Sequence, residues 1–260
     1  MSLSKLSKGI SYARILMKSN KAVFSNIHQW NKSFNDPNEF YLDAFRFFYF
    51  NLPRKLKGHK YYFNHNSRGF GEKAFHTMWY ILYEKYQFKN FLEIGIYRGQ
   101  TISLIGLLAK LKKAEVVIYG ISPFTNAGDQ VSKYVEIDYM EDVINNFDYF
   151  SLKHPKLIKA FSTDKMALDI ISSTHWDCIY IDGSHDYETA KQDWLNCSKQ
   201  IKLGGIIVLD DASLYANYKA PFFAFKGHPG PSKVAEEIKE NPHFKEVLRV
   251  GHNRVFEKIA

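Results

Sequence analysis

The chain has 260 residues, 45% of them hydrophobic and 24% charged, with 35 Lys and Arg against 27 Asp and Glu for a formal net charge of +8. That balance excludes a disordered or fibrous chain and leaves room for one large domain plus a helical extension. No run approaches the roughly 18 uninterrupted apolar residues of a membrane-spanning helix. Two cysteines, Cys178 and Cys197, suit reduced packing residues in a cytoplasmic setting better than a disulfide framework.

The basic excess gathers at the start. The first acidic residue is Asp36, and before it Lys5, Lys8, Arg14, Lys18, Lys21 and Lys32 interleave with Leu3, Leu6, Ile10, Ile15, Leu16, Val23 and Phe24 at loosely helical spacing. Three readings stay open for this segment: a basic helix packed on the main domain, a surface for a membrane or an anionic polymer, and an organellar transit peptide. From about residue 36 to 90 the sequence is aromatic and basic, with Phe40, Tyr41, Phe45, Phe47, Phe48, Tyr49 and Phe50 followed by a loop-like stretch from Gly58 to Gly71. We therefore assign 1–70 to a helical cover, with aromatic side chains suited to a subunit contact, and 71–260 to the main domain. Phe75, Met78, Trp79, Leu82 and Tyr86 then recur at three- and four-residue steps, which predicts a helix over Glu72–Tyr86 packed on the sheet edge.

From there the pattern alternates between strand and helix. Strands are predicted at Phe91–Ile94, Val116–Ile121, Leu157–Phe161, Cys178–Ile181 and Ile206–Leu209. Helices are predicted at Thr101–Leu111, about Val131–Phe150, Lys165–Ser172, Tyr187–Gln200 and Ser232–Glu240. This rhythm predicts an α/β, Rossmann-like, mostly parallel sheet with helices on both faces. Lys245–Val250 and Arg254–Lys258 flank Gly251, His252 and Asn253 and read as an antiparallel hairpin that closes the sheet, unlike the all-parallel dinucleotide fold. The cluster Gly227, His228, Pro229, Gly230, Pro231 reads as a loop placed where a lid would sit.

The first strand runs into Glu93-Ile94-Gly95-Ile96-Tyr97-Arg98-Gly99-Gln100-Thr101. Glycines at 95 and 99 let the backbone turn tightly against a ligand, and the following helix points its amide-rich end there. A dinucleotide fingerprint would need glycine where Tyr97 stands, so a pyrophosphate fits poorly. Glu93, two residues before the turn, suits a cofactor with a cationic amino acid portion.

The fourth strand delivers Asp182-Gly183-Ser184-His185-Asp186, and the fifth delivers Asp210-Asp211. Adjacent strand ends of an open α/β sheet face one crevice, so Asp182, Asp210 and Asp211 should converge there. Aspartates of this kind also cap helices, but capping gives no reason for a doublet. Three close carboxylates call for a cation, and an oxygen-rich set suits magnesium, calcium or manganese, which would lower the pKa of a substrate hydroxyl. His185 has three readings: general base, support for the metal site, or packing.

Segments 93–101, 181–188 (Ile-Asp-Gly-Ser-His-Asp-Tyr-Glu) and 204–211 (Gly-Gly-Ile-Ile-Val-Leu-Asp-Asp) resemble class I S-adenosylmethionine-dependent methyltransferases. Within these, the chain is most similar to the macrocin-type sugar O-methyltransferases and cephalosporin-hydroxylase-like proteins, over about residues 70–258. The resemblance implies a seven-stranded sheet with a reversed last strand. It also implies that Glu93, Gly95 and Gly99 line the methionine end of S-adenosylmethionine, with Tyr97, Thr101 and Asp182 among the cofactor contacts. Asp182, Asp210 and Asp211 match the family's metal ligands, and our reading of the residues puts His185 and Asp182 in the catalytic roles. Ser122 stands where the family carries an acidic ribose contact, with Asp129 nearby in the following loop, and Ser162 stands at the adenine side. The expected activity is magnesium-assisted O-methyl transfer to a sugar or other hydroxylated small molecule, and the basic charge suits an anionic sugar conjugate. An RNA methyltransferase and a noncatalytic binding protein are the rivals, although no RNA-module signature is present.

Overall fold

The computed structural model describes residues 15–126 and 135–260. Short β-branched and aromatic runs form seven strands: β1 (Asn90–Ile94), β2 (Val117–Ser122), β3 (Lys156–Lys159), β4 (Trp176–Ile181), β5 (Ile201–Leu209), β6 (Phe244–Val250) and β7 (Asn253–Lys258). They form a single sheet in the order β3-β2-β1-β4-β5-β7-β6. The first five are parallel, whereas β7 runs antiparallel to both β5 and β6, as the terminal hairpin predicts. Successive strand residues point to opposite faces, and two cores result. Phe91, Cys178, Tyr180, Ile206, Val208 and Val255 face one core, and Leu92, Ile94, Ile179, Ile181, Ile207 and Phe256 the other.

Ten α-helices are described: α1 (Asn20–Ile27), α2 (Lys32–Asn35), α3 (Pro37–Phe50), α4 (Arg54–Asn64), α5 (Lys73–Tyr86), α6 (Gln100–Lys112), α7 (Tyr139–Tyr149), α8 (Lys165–Ser172), α9 (Tyr187–Gln200) and α10 (Pro229–Lys239). α5, α6 and α7 cover the first core, and α8, α9 and α10 cover the second. α5 lies on the sheet face rather than its edge, because Trp79 packs edge-on against both Phe91 of β1 and Tyr180 of β4.

Two loops of the sequence reading are helical. α4 spans Arg54–Asn64, where buried His59 and Lys60 interrupt the apolar periodicity that a sequence pattern relies on. The Gly227–Pro231 cluster holds the start of α10, with proline in the first turn, where its missing N–H costs nothing. The predicted helix at 131–150 begins at Tyr139; residues 131–134 and Asp129 lie outside the described residues, as do Leu3 through Arg14.

From Ile15 onward the basic segment packs on α3. Lys18 Nζ lies 2.7 Å from both Glu39 and Asp43, Arg46 bridges the same two carboxylates, and Val23 and Ile27 are buried. No described helix is long and apolar enough to cross a membrane. Cys178 and Cys197 are free and buried.

Candidate active site

Hydrogen bonds at the strand ends bring the motif loops together. Gly95 N–H donates to Ile121 O at 2.9 Å, Asp182 N–H to Ile94 O at 2.8 Å and Asp210 N–H to Ile181 O at 3.0 Å. The approach is so close that a Cβ on Gly95, at φ 92°, would stand 1.9 Å from the Asp182 carbonyl oxygen. Only glycine fits there. Gly99, at φ 77°, starts α6. Arg98 locks the turn from behind: it pairs bidentately with Asp142 of α7 at 2.7 and 2.8 Å and donates to Asn66 O. Tyr97 packs between Phe70 and Tyr139, and Thr101 lies in the first turn of α6.

Glu93 is buried, and its Oε2 has no hydrogen-bond partner. Burial and the nearby Asp210 charge hold its carboxyl well above the usual range, against the pull of the Ile102 N–H. A cation presented from the crevice is what this group lacks.

The structure brings Asp182, Asp210 and Asp211 together. Burial and the Asp210 charge push Asp182 well above the usual carboxylate range, and burial together with Asp211 raises Asp210. Burial acts on Asp211 too, but the hydrogen bond from His185 and the charge of His252 outweigh it and hold that carboxyl low. None of the three caps a helix. Asp186 does that work, accepting from Thr189 N–H at 3.0 Å. Asp211 has φ 52°, a left-handed conformation uncommon outside glycine that aims its side chain across the crevice.

Imidazoles surround this carboxylate group. His185 Nε2 is 2.8 Å from Asp211 Oδ2, and His228 Nε2 is 3.9 Å from the same oxygen. The His185 and His228 rings lie 4.0 Å apart. His252 Nε2 is 3.3 Å from Asp210 Oδ1 and 3.7 Å from Asp211 Oδ1, and Asn253 Nδ2 donates to Asp210 Oδ1 at 2.6 Å. Among the described residues, no Lys or Arg forms an ion pair with Asp182, Asp210 or Asp211. Two overlapping three-residue groups have donor atoms close enough to share an ion: His185, Asp211 and His228, and Asp210, Asp211 and His252.

His228, His252 and Asn253 escape the sequence reading, where they are only loop and hairpin residues. A usable signal was the reversed β7: pairing of Leu209 with Arg254 sets the β6–β7 turn beside Asp210.

The two serines expected at the cofactor each lie beside groups of the protein itself. Ser122 is buried, donates to Ile96 O at 2.9 Å and accepts from Phe124 N–H at 3.3 Å, so its hydroxyl braces the turn after β2. Ser162 lies above Asp193 of α9, a buried carboxyl whose oxygens both lack partners. Burial raises Asp193 to about 6 despite the Ser162 hydroxyl.

Residues 92–212 match the family model described as a methyltransferase domain. An uncharacterised protein of Acanthamoeba polyphaga mimivirus is 26% identical over 201 residues, covering 72% of this chain and 81% of its own length. Among solved structures, the SAH-bound methyltransferase PaMTH1 of Podospora anserina is similar with a TM-score of 0.55 and 16% identity, over 80% of this chain and 88% of that one. The O-methyltransferase TomG of Streptomyces achromogenes, solved with SAM, reaches a TM-score of 0.51 at 12% identity, over 81% and 91% of the two chains. The strand order, the reversed β7 and the glycine turn at the end of β1 give the chain the class I S-adenosylmethionine-dependent methyltransferase fold, and residues 92–212 within it resemble a methyltransferase domain.

Proposed function

We propose that the protein is an S-adenosylmethionine-dependent O-methyltransferase that acts, with a divalent ion such as magnesium, on a hydroxyl of a sugar or other small molecule. The observation that carries this reading is the juxtaposition, in one crevice, of a buried Glu93 carboxyl with an unpartnered Oε2 beside the Gly95–Gly99 turn and a carboxylate triad that, among the described residues, no Lys or Arg neutralises. The SAH- and SAM-bound states of the two structural relatives support a cofactor of this kind.

In this reading the Glu93 carboxylate takes the cofactor's amino group. Gly95, Tyr97, Gly99 and Thr101 line its methionine end, and Ser162 stands at the adenine side. Asp182, Asp210 and Asp211 fit a divalent ion by charge and donor type, and such an ion, when bound, lowers the pKa of an acceptor hydroxyl. Methyl transfer is a direct displacement, so the chain's remaining task is to align the acceptor oxygen and remove its proton. His185, whose Nε2 lies 2.8 Å from Asp211 Oδ2, is the group placed to take that proton. The basic charge supports an anionic acceptor, and the free buried cysteines support a cytoplasmic location.

Calorimetry with S-adenosylmethionine on wild type and Glu93→Gln, paired with methyl transfer from labelled cofactor to a panel of nucleotide-linked sugars, tests this. Wild type should bind the cofactor at micromolar concentration and Glu93→Gln at least about tenfold more weakly, as a lost charge-assisted contact predicts. One rival has an observation in its favour: the internally engaged Ser122 supports a noncatalytic member of the fold. Folded wild type giving no heat at millimolar cofactor would decide for that rival.

A further inference from the structure

The turn between β6 and β7 bears on which ion the crevice takes. His252 is buried there, and its backbone is held: its carbonyl accepts from Ala212 N–H at 2.8 Å, and Gly251 has φ 60°, where a Cβ would be strained and 3.1 Å from the Tyr41 and Phe75 rings. The ring is fixed as well, because Nδ1–H donates to the Phe225 carbonyl at 3.2 Å. That bond sets the tautomer and turns Nε2 toward Asp210 and Asp211. An imidazole whose far nitrogen is tied to a backbone carbonyl is the usual posture of a metal-binding histidine. Donor atoms that share one ion at about 2.1 Å lie about 3 to 3.5 Å apart, and the Nε2 to Oδ1 distances of 3.3 and 3.7 Å are close to that span. The two carboxylates need a cation, and an Nε2 aimed at both of them at 3.3 and 3.7 Å is placed to share an ion with them.

We propose that His252 Nε2 is a ligand of the crevice ion together with Asp210 and Asp211, and that the ion is therefore of the first-row transition series, such as Mn2+, Fe2+, Co2+ or Zn2+, in preference to Mg2+. This rests on the ion-dependent reading above and names the class of ion. Mg2+ is a hard cation that prefers all-oxygen shells, whereas imidazole nitrogen favours the transition ions. His185, on the other oxygen of Asp211, keeps its role toward the acceptor.

The test uses the full chain stripped with EDTA, titrated separately with MnCl2 and MgCl2 as wild type, His252→Gln and Asp211→Asn, together with pulsed electron paramagnetic resonance of the Mn2+ form. Wild type should bind Mn2+ about 100-fold or more tighter than Mg2+ and show nitrogen coupling. His252→Gln should lose at least about 10- to 100-fold in Mn2+ affinity and lose that coupling. A histidine that serves only as a protonated counter-ion predicts the opposite sign, since its removal frees negative charge and tightens Mn2+. Unchanged or tighter Mn2+ binding by His252→Gln, equal affinity of wild type for the two ions, or nitrogen coupling that survives the substitution each overturns the assignment. The wild-type spectrum requires no variant to fold, and its lack of nitrogen coupling overturns the assignment equally. Ion binding that needs Asp211 but not His252 sinks this inference alone, whereas no binding of either ion by wild type sinks the ion-dependent reading with it.

Discussion

Two buried charge clusters lie on either side of the β5–β7 pairing and are built on opposite principles. Around Arg254, which is fully buried, the charges balance: its Nε and Nη2 meet the two oxygens of Glu246 at 2.7 and 2.8 Å, Nη1 meets Glu236, and Arg249 makes a second two-pronged contact with Glu246. One residue away in register, Glu93, Asp182, Asp210 and Asp211 share a crevice with imidazoles and the Asn253 amide but, among the described residues, with no paired Lys or Arg, and three of the four carboxyls are held above their usual range. Burying charge is costly unless it is paired. A fold that meets this condition at Arg254 and leaves it unmet next door has kept the second cluster for something that arrives from outside. Asp193 is an intermediate case, a single buried carboxyl with the Ser162 hydroxyl beside it and no opposite charge.

The sharpest way to break this contrast is Arg254→Ala. It removes the fully buried partner of both glutamates, leaving Glu246 with Arg249 and Glu236 with Lys239, and should cost about 3 kcal/mol in urea unfolding, while cofactor affinity per folded molecule stays near wild type. A loss below about 1 kcal/mol would mean that the balanced cluster is not holding the hairpin in place.

Asp193→Asn comes next. Its carboxyl rises from 3.8 to about 6 on folding, so the fold favours the neutral form, and stability from this group is full below pH about 4 and lost as pH climbs through 6. Two units correspond to about 3 kcal/mol. Denaturation at pH 4.5 and pH 8 should therefore show the variant gaining on wild type by up to that amount at the higher pH; parallel profiles would show that the acid is compensated.

Asp210→Asn should reduce turnover about 100-fold or more, equivalent to about 2.7 kcal/mol, and leave the melting temperature unchanged or raised, since it relieves repulsion. Comparable losses of activity and stability would make the crevice carboxylates structural. The smallest effect belongs to Ser122→Ala, which removes two internal hydrogen bonds for about 1 kcal/mol and should change cofactor affinity less than about threefold. A tenfold weakening would put the hydroxyl on the ligand after all.

The sheet was readable because its information is local. A run such as Cys178-Ile179-Tyr180-Ile181 followed by Asp182-Gly183, or Glu93-Ile94-Gly95 before a helix, carries both the strand and the turn that ends it. Parallel order then places those ends side by side, so Glu93 and the three aspartates could be assembled on paper. α4 was not readable, since it buries His59 and Lys60 along with Leu56 and Phe63 and so lacks a continuous apolar stripe. Its buried histidine is satisfied by partners distant in sequence: His59 bonds His76 at 3.1 Å and Ser103 at 3.0 Å.

By itself, then, the order of residues determined the alternating strands, the glycine turn and the carboxylates at the strand ends, each set by neighbours a few positions away. Tertiary structure decided what surrounds those carboxylates. His185, His228 and His252 come from three segments, and only the reversal of β7 and the return of the chain over Asp211 bring their rings to one group of oxygens. Hydrophobic periodicity records which face of an element is buried, but it carries no information about which distant polar side chains will meet across a crevice.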